Sequence, residues 1–414
     1  MNSVIVAGLD VGTTTTACVI AEAAEGGPDG PTVRVLGVGQ SRTSGIRREV
    51  VTDIEATTES VRKAVREAEL MAGVSVDRLY TGIAGEHVHG RASTGVVAVG
   101  AREISGRDID RVQEVARAIV IPPDREMIHA IPQEYLVDAR GGIRDPLNMA
   151  GTRLEAEVYI ITAAASAAQN IRKSVDRAGY QIAEMVFEPL AASLAVLTED
   201  EKEMGVALVD LGAGTTDLII FHERKIREIA TLPWGGGTVT NDIVKGLSLG
   251  YAEAAKAKER WGVARTALVD PRESFELPAA AAGQTRQVAR ELLAHIIEQR
   301  MDEIFGLVSE QIERSGFSDR LSAGVVLTGG GAALEGVCEL AESSLPGPVR
   351  IGSPGEGLDG LVDSVRRPKF ATATGLASFG ARREAQQGAL IAGKSGSSVN
   401  GAVRWVRDWL ADFF

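Results

Sequence analysis

The sequence predicts an α/β protein of two lobes built on one plan, with a cleft between them. Three observations carry this expectation. Residues 4–22 read as an apolar strand, a Gly/Thr-rich turn and a second strand, and residues 205–221 repeat that succession. The aspartates that open the two turns, Asp10 and Asp210, stand 200 positions apart, enough chain for each to begin a unit of its own. Between the turns lie helical patterns at 53–72 and 167–178, so strands alternate with helices that cover them.

The elements follow in order. A first strand begins at Val4, the turn Asp10-Val11-Gly12-Thr13-Thr14 follows, and residues 17–21 return as a second strand. Residues 82–162 break the rhythm and read as an inserted subdomain. They hold a helix at 105–119 closed by Pro122-Pro123, then strand-like stretches at 127–137 and 153–161. The second unit has a strand at 206–209, the turn 210–217 and a strand at 218–221. An Ala/Gly-rich loop at 278–283 precedes a long amphipathic helix expected over 284–315. Residues 381–400, rich in Gly, Ser, Gln and Ala, read as a flexible tether.

Composition sets limits on function. At 414 residues the chain is two to three times a typical domain of roughly 150. With 44% apolar and 24% charged residues it can bury substantial cores. Forty-four basic against 56 acidic side chains leave a net charge of −12, which repels a phosphate backbone and predicts no nucleic-acid partner. Cys18 and Cys338 alone make neither a disulfide framework nor a cysteine metal site. The N-terminal apolar run lacks a basic flank and ends at Asp10, so no signal peptide is expected. No apolar run reaches the roughly 18 residues of a membrane span, so any membrane attachment is expected to be peripheral.

The turns carry the candidate chemistry. Glycine lets backbone N–H groups approach phosphate oxygens, and threonine hydroxyls add donors. Gly12, Thr13 and Thr14 in one turn, and Gly212, Ala213, Gly214, Thr215 and Thr216 in the other, can hold two phosphates from opposite sides. Asp10 and Asp210 can then hold Mg²⁺ through its waters. Either turn alone is equally at home in an ordinary hairpin; the pair is what points to a nucleotide. A third glycine-rich turn, Gly329-Gly330-Gly331-Ala332, follows an apolar strand, where it serves either close helix packing or approach to a nucleotide. Small-residue stretches at 187–193 and 371–376 suit helix starts at which two lobes pack and hinge.

Phosphate turn, connector, phosphate turn, adenosine turn and connector, in that order, resemble the actin, sugar kinase and heat-shock chaperone ATPase superfamily. That resemblance implies an actin-like two-lobed fold with ATP and Mg²⁺ in the cleft and adenosine near Gly329, Gly330, Gly331 and Ala332. It also implies a ribose contact from Lys256, a position that reads equally as a solvated helix lysine. Asp210 and Glu188 take catalytic roles by the same likeness, the first through Mg²⁺ and the second by orienting water.

Within the superfamily the whole chain resembles the FtsA family of bacterial division proteins. The match is strongest at His129-Ala130-Ile131-Pro132-Gln133-Glu134-Tyr135, and continues through Val137-Asp138, Gly142-Ile143 and Pro146. Leu197-Thr198-Glu199-Asp200-Glu201 and Val349-Arg350-Ile351-Gly352 match as well. This resemblance implies subdomain 1A (1–82 with 163–202 and 371–380), 1C (83–162), 2A (203–236 with 318–370) and 2B (237–317). It implies filament formation with further copies of the chain, recruitment of downstream division proteins through 1C, and binding of the tail of the ring protein FtsZ by 2B. Arg286, Arg290, Arg300 and Glu303, expected on the long helix, are the candidate contacts for that acidic-rich tail. A small-molecule kinase and a pilus-assembly protein of the same fold are the competing readings.

The last 14 residues are legible without any family. At 100° per residue, Trp405, Val406, Trp409, Leu410, Phe413 and Phe414 share one half of a helix, and Arg404, Arg407, Asp408 and Asp412 the other. Beyond a tether, such a helix fits the interface of a phospholipid membrane, at the inner face if the family likeness holds. The alternative is a terminal helix docked on its own core.

Overall fold

The computed structural model describes residues 3–24, 31–278 and 284–393. The chain opens with β1 (Val4–Val11), β2 (Thr15–Ala24) and β3 (Thr32–Arg42), then a short hairpin of β4 (Ile46–Arg47) and β5 (Val50–Val51). Helix α1 (Ile54–Ala72) is capped by Asp53, which accepts the Ala56 N–H at 3.0 Å, and is ended by Gly73 at φ +70°. After β6 (Arg78–Ile83) comes the insertion: β7 (His89–Glu103), α2 (Gly106–Arg117), β8 (Arg125–Val137), β9 (Arg140–Ile143) and β10 (Ala150–Ala164). The chain returns through α3 (Ala165–Ala178), β11 (Gln181–Phe187) and α4 (Glu188–Val196).

The second lobe runs α5 (Glu199–Met204), β12 (Val206–Leu211), β13 (Thr216–His222), β14 (Lys225–Leu232), α6 (Gly236–Leu247) and α7 (Tyr251–Trp261). It continues with β15 (Ser274–Pro278), β16 (Thr285–Ala289), α8 (Arg290–Ser315), β17 (Val325–Thr328), α9 (Val337–Glu342) and β18 (Val349–Ile351). Strand β19 (Leu358–Gly360), α10 (Val362–Val365) and α11 (Ala371–Gly393) complete the described chain.

The duplication is visible in the sheets. One has the order β11-β6-β1-β2-β3-β19 and the other β18-β17-β12-β13-β14. In each, the strand that carries the key aspartate pairs antiparallel with the next strand and parallel with a later one: β1 with β2 and β6, β12 with β13 and β17. This is the α/β, actin-like two-lobed fold with duplicated units. The insertion is a separate antiparallel sheet, β7-β10-β8-β9, with α2 flat against it. A Cβ on Gly95 would strike the backbone of Val112 and Ala116, so glycine sets that close approach.

The two connectors cross at the centre. Gly375 of α11 lies against the backbone of Ala191 in α4, and Gly8 of β1 lies against the backbone of Ala373 and Ala377. Only residues without a side chain fit at such contacts, which explains the small-residue stretches at both helix starts.

Two expectations from the sequence are corrected. The long helix begins at Arg290, not at residue 284, because Thr285–Ala289 pairs with Ser274–Pro278 as a hairpin. Alternation decides this: Val288 is buried between exposed neighbours and packs with Phe275 and Leu277. The tether expected over 381–400 is helical as far as Gly393. Ala381 is buried, the Arg383 guanidinium forks onto Glu184 at 2.8 and 3.0 Å, and Tyr80 donates to Glu384 at 3.0 Å. Those contacts hold residues of good helix propensity in place. The membrane-helix residues, Trp405 to Phe414, and the end of the expected tether lie outside the described residues.

Candidate functional site

Asp10 is the penultimate residue of β1 and Asp210 of β12, so each carboxylate stands at the mouth of its turn. The turns face one another and touch. A Cβ on Gly214 would collide with the Thr13 hydroxyl and lie 2.9 Å from Arg48 Cα. Gly329, at φ +82°, lies directly against Asp210 Oδ1 and leaves no room for a side chain. The third glycine turn therefore backs the second. Gly331 packs on Leu211, Ala332 is buried, and Gly330 is exposed with open space where a Cβ would point.

Donors are distributed unequally between the turns. Gly212, Ala213 and Gly214 keep accessible surface, as do Gly12, Thr13 and Thr14. The Thr215 and Thr216 hydroxyls are already used within the chain. Thr215 donates to Asp217 Oδ2 at 2.8 Å and Thr216 donates to the Trp234 carbonyl at 2.8 Å, both from buried positions. Their work is to shape the turn. The segment 235–237 closes behind it: Gly236 N–H donates to Gly212 O at 2.9 Å and Gly237 N–H to Ala213 O at 2.7 Å.

Five carboxylates gather here: Asp10, Glu49, Glu188, Asp210 and Asp217. Burial pushes Asp210 up to about 7, with Asp217 adding to it. Burial raises Asp217 to about 6 against the hydroxyls of Thr231 and Thr215. Asp10 is raised well above the usual carboxylate range by burial, then by Glu49 and Asp210. Glu188 is raised by burial, then by Asp10, Glu49, Asp217 and Asp210. Among the described residues no three acidic, imidazole or thiol side chains converge tightly enough to hold a metal ion directly. Facing carboxylates that raise one another fit a divalent cation held through its waters, with Asp10 and Asp210 on either side.

Glu188 is the first residue of α4, and Gly82 makes room for it: a Cβ there would sit 2.6 Å from the Glu188 carboxylate. The residue before it is held from the insertion. His129, buried and kept neutral with its pKa near 3, accepts the Phe187 N–H through Nε2 at 3.0 Å. Four residues on, Gln133 Oε1 accepts the Ile226 N–H of the second lobe at 2.7 Å, and Glu134 pairs with Lys225 at 2.9 Å. The His129 to Tyr135 stretch thus joins the insertion to both lobes. The other matched stretches meet as well: Arg350 forks onto Glu201 at 2.7 Å and donates to the Val196 carbonyl.

Lys256 is exposed on α7 and paired with Glu253 at 2.9 Å. Sequence reasoning passed over Lys258, which burial lowers to about 8 and which donates to Gly236 O at 2.7 Å and Thr240 Oγ1 at 2.8 Å beside the second turn. It also passed over Glu49 and Gly235-Gly236-Gly237; the glycine run after a strand was a usable signal, whereas Glu49 had none. Arg286 lies on β16 rather than the long helix and donates to the Leu247 carbonyl. Arg290, Arg300 and Glu303 do lie on α8, where Arg290 pairs with Glu273 and Glu335, and Arg300 with Asp242 and Glu303.

The fold and cleft define a class: a two-lobed actin-like protein with an antiparallel subdomain inserted in its first lobe. Solved structures of that shape include the PilM–PilN type IV pilus biogenesis complex (TM-score 0.65, 18% identity, 91% of this chain and 99% of that one). MreB5 of Spiroplasma citri bound to ADP is another (TM-score 0.50, 13% identity, 91% and 95%).

Sequence resolves the family. The model for "Cell division protein FtsA" matches residues 207–375, and that for "SHS2 domain inserted in FTSA" matches 85–162. Cell division protein FtsA of Pseudomonas aeruginosa is 40% identical over 96% of this chain and 93% of its own length. That of Escherichia coli K12 is 33% identical over 99% and 98%. The chain belongs to the FtsA family of cell division proteins, which sets aside the kinase and pilus-assembly readings.

Proposed function

We propose that this protein binds Mg-ATP between its two glycine turns, polymerises on the inner face of the cytoplasmic membrane at the division septum, and tethers the FtsZ ring there. The observation that carries the nucleotide reading is the contact of Gly214 with Thr13, which brings two sets of accessible backbone amides to one point beside Asp10 and Asp210. The family's name supports the division role, and MreB5, a protein of this shape, binds ADP.

The subdomain scheme expected from sequence is part of this reading, with α11 continuing the first lobe's chain as far as Gly393. Subdomain 1C offers its sheet to downstream division proteins, and 2B takes the FtsZ tail. Because Arg290 and Arg300 are already paired within the chain, an acidic tail gains by exchanging partners there, so the contact is expected to be weak singly and strong only in a polymer.

Bound magnesium supplies positive charge for the phosphates. Glu188, whose pKa burial and the neighbouring carboxylates raise, is the side chain placed to orient a water. Slow ATP turnover is expected, as suits a scaffold that uses nucleotide state more than product. Titration calorimetry with MgATP tests the reading: one nucleotide per chain is expected, weakened by Thr13→Ala. Absence of binding to the wild-type chain would overturn it.

A further inference from the structure

Glu49 has no place in the reading above, yet it lies in the middle of the cleft. It sits at the tip of the β4–β5 hairpin beside Arg48, and both residues adopt left-handed backbone, φ +48° at Arg48 and +61° at Glu49. Glycine takes that conformation freely; a glutamate does not. Its carboxylate is buried and accepts the Thr13 hydroxyl at 2.8 Å, while its N–H donates back to Thr13 Oγ1 at 3.3 Å. Across the cleft, Gly214 packs on Arg48 Cα, so the hairpin tip is gripped between the two turns. The charged groups that act on Glu49 are Asp217 and Asp210, and it acts in turn on Asp10 and Glu188; no cation among them offsets its charge.

A buried carboxylate among carboxylates, on strained backbone, is costly unless the site uses it. We infer that Glu49 is an internal competitor for the phosphate site: it holds the Thr13 hydroxyl that a nucleotide phosphate takes, and must be released for nucleotide to bind. The inference rests on the nucleotide reading and adds to it a residue that sets affinity. A phosphate oxygen and the Glu49 carboxylate are both anionic acceptors for one donor, so they exclude each other at Thr13. Nucleotide entry therefore also frees the β4–β5 hairpin from the first turn.

The test is MgATP titration into four full-length chains: wild type, Glu49→Gly, Thr13→Ala and the double variant. Glu49→Gly removes the competitor and suits the left-handed backbone, so it is expected to fold and to bind at least about tenfold more tightly than wild type. In the Thr13→Ala background the same change is expected to gain clearly less, because the disputed hydroxyl is gone. Equal or weaker binding by Glu49→Gly overturns the inference while leaving the nucleotide reading intact. An equal gain in both backgrounds also overturns it, since general charge repulsion would then suffice. Failure of all four chains to bind overturns the nucleotide reading and this inference with it.

Discussion

Gly214→Val abolishes MgATP binding, with an expected loss of at least about a hundredfold in affinity, while the chain stays folded. The backbone at Gly214 has no positive φ, so valine is tolerated locally. Its Cβ meets the Thr13 hydroxyl and the Arg48 backbone across the cleft, and its methyls extend further. The hydroxyl can turn away; a clash with the Arg48 backbone is relieved only by moving the whole hairpin tip away from the second turn. The lobes are wedged apart, and phosphates then meet amides from one turn at a time. The overpacking costs about 1–3 kcal/mol, tolerable for a chain with large cores in both lobes. Calorimetry reads the affinity and circular dichroism the fold. Wild-type affinity in this variant would show that the two turns do not act together.

Trp409→Glu is expected to abolish binding of the protein to phospholipid vesicles. Each large apolar side chain of the helix expected at the C-terminal end contributes at most about 1.5–3 kcal/mol on full burial, and partial immersion and helix ordering reduce that. With two arginines against two aspartates the polar half adds no net attraction, so a buried charge removes most of a small total. High salt, by contrast, is expected to release little wild-type protein, since there is no polybasic anchor to screen. Flotation on vesicles measures both. Binding that survives Trp409→Glu would make the helix an ordinary docked terminus, and complete release by salt would locate the attachment in surface charge elsewhere.

The duplicated plan was legible because each unit advertises itself by an apolar strand ending in aspartate, followed at once by glycine and threonine. The insertion was legible from a break in the strand and helix rhythm. What escaped were features set by partners distant in sequence. Residues 381–393 look like a linker by composition, and the contacts of Arg383 with Glu184 and of Glu384 with Tyr80 tie the start of that segment to the first lobe. The strand Thr285–Ala289 is too short to outweigh a neighbouring helical pattern until its partner at Ser274–Pro278 is seen. Thr215 and Thr216 have the right chemistry for phosphate, but buried acceptors at Asp217 and Trp234 claim their hydroxyls first. Glu49 is silent in sequence because neither its left-handed backbone nor its proximity to Thr13, 36 positions away, leaves a local mark.

On the proposed function, nucleotide in the cleft is expected to promote assembly, and assembly to turn weak, reversible membrane contact into stable attachment through many simultaneous contacts. Sedimentation with vesicles tests it most directly, using the full chain and a chain ending at Asn400, each with and without MgATP. The full chain is expected on the vesicles and in larger amount with MgATP, whereas the shortened chain stays in solution in both conditions. Equal sedimentation of the two chains would show that residues 401–414 do not hold the protein to the membrane, and retention of the full chain that ignores MgATP would show that nucleotide does not drive its attachment.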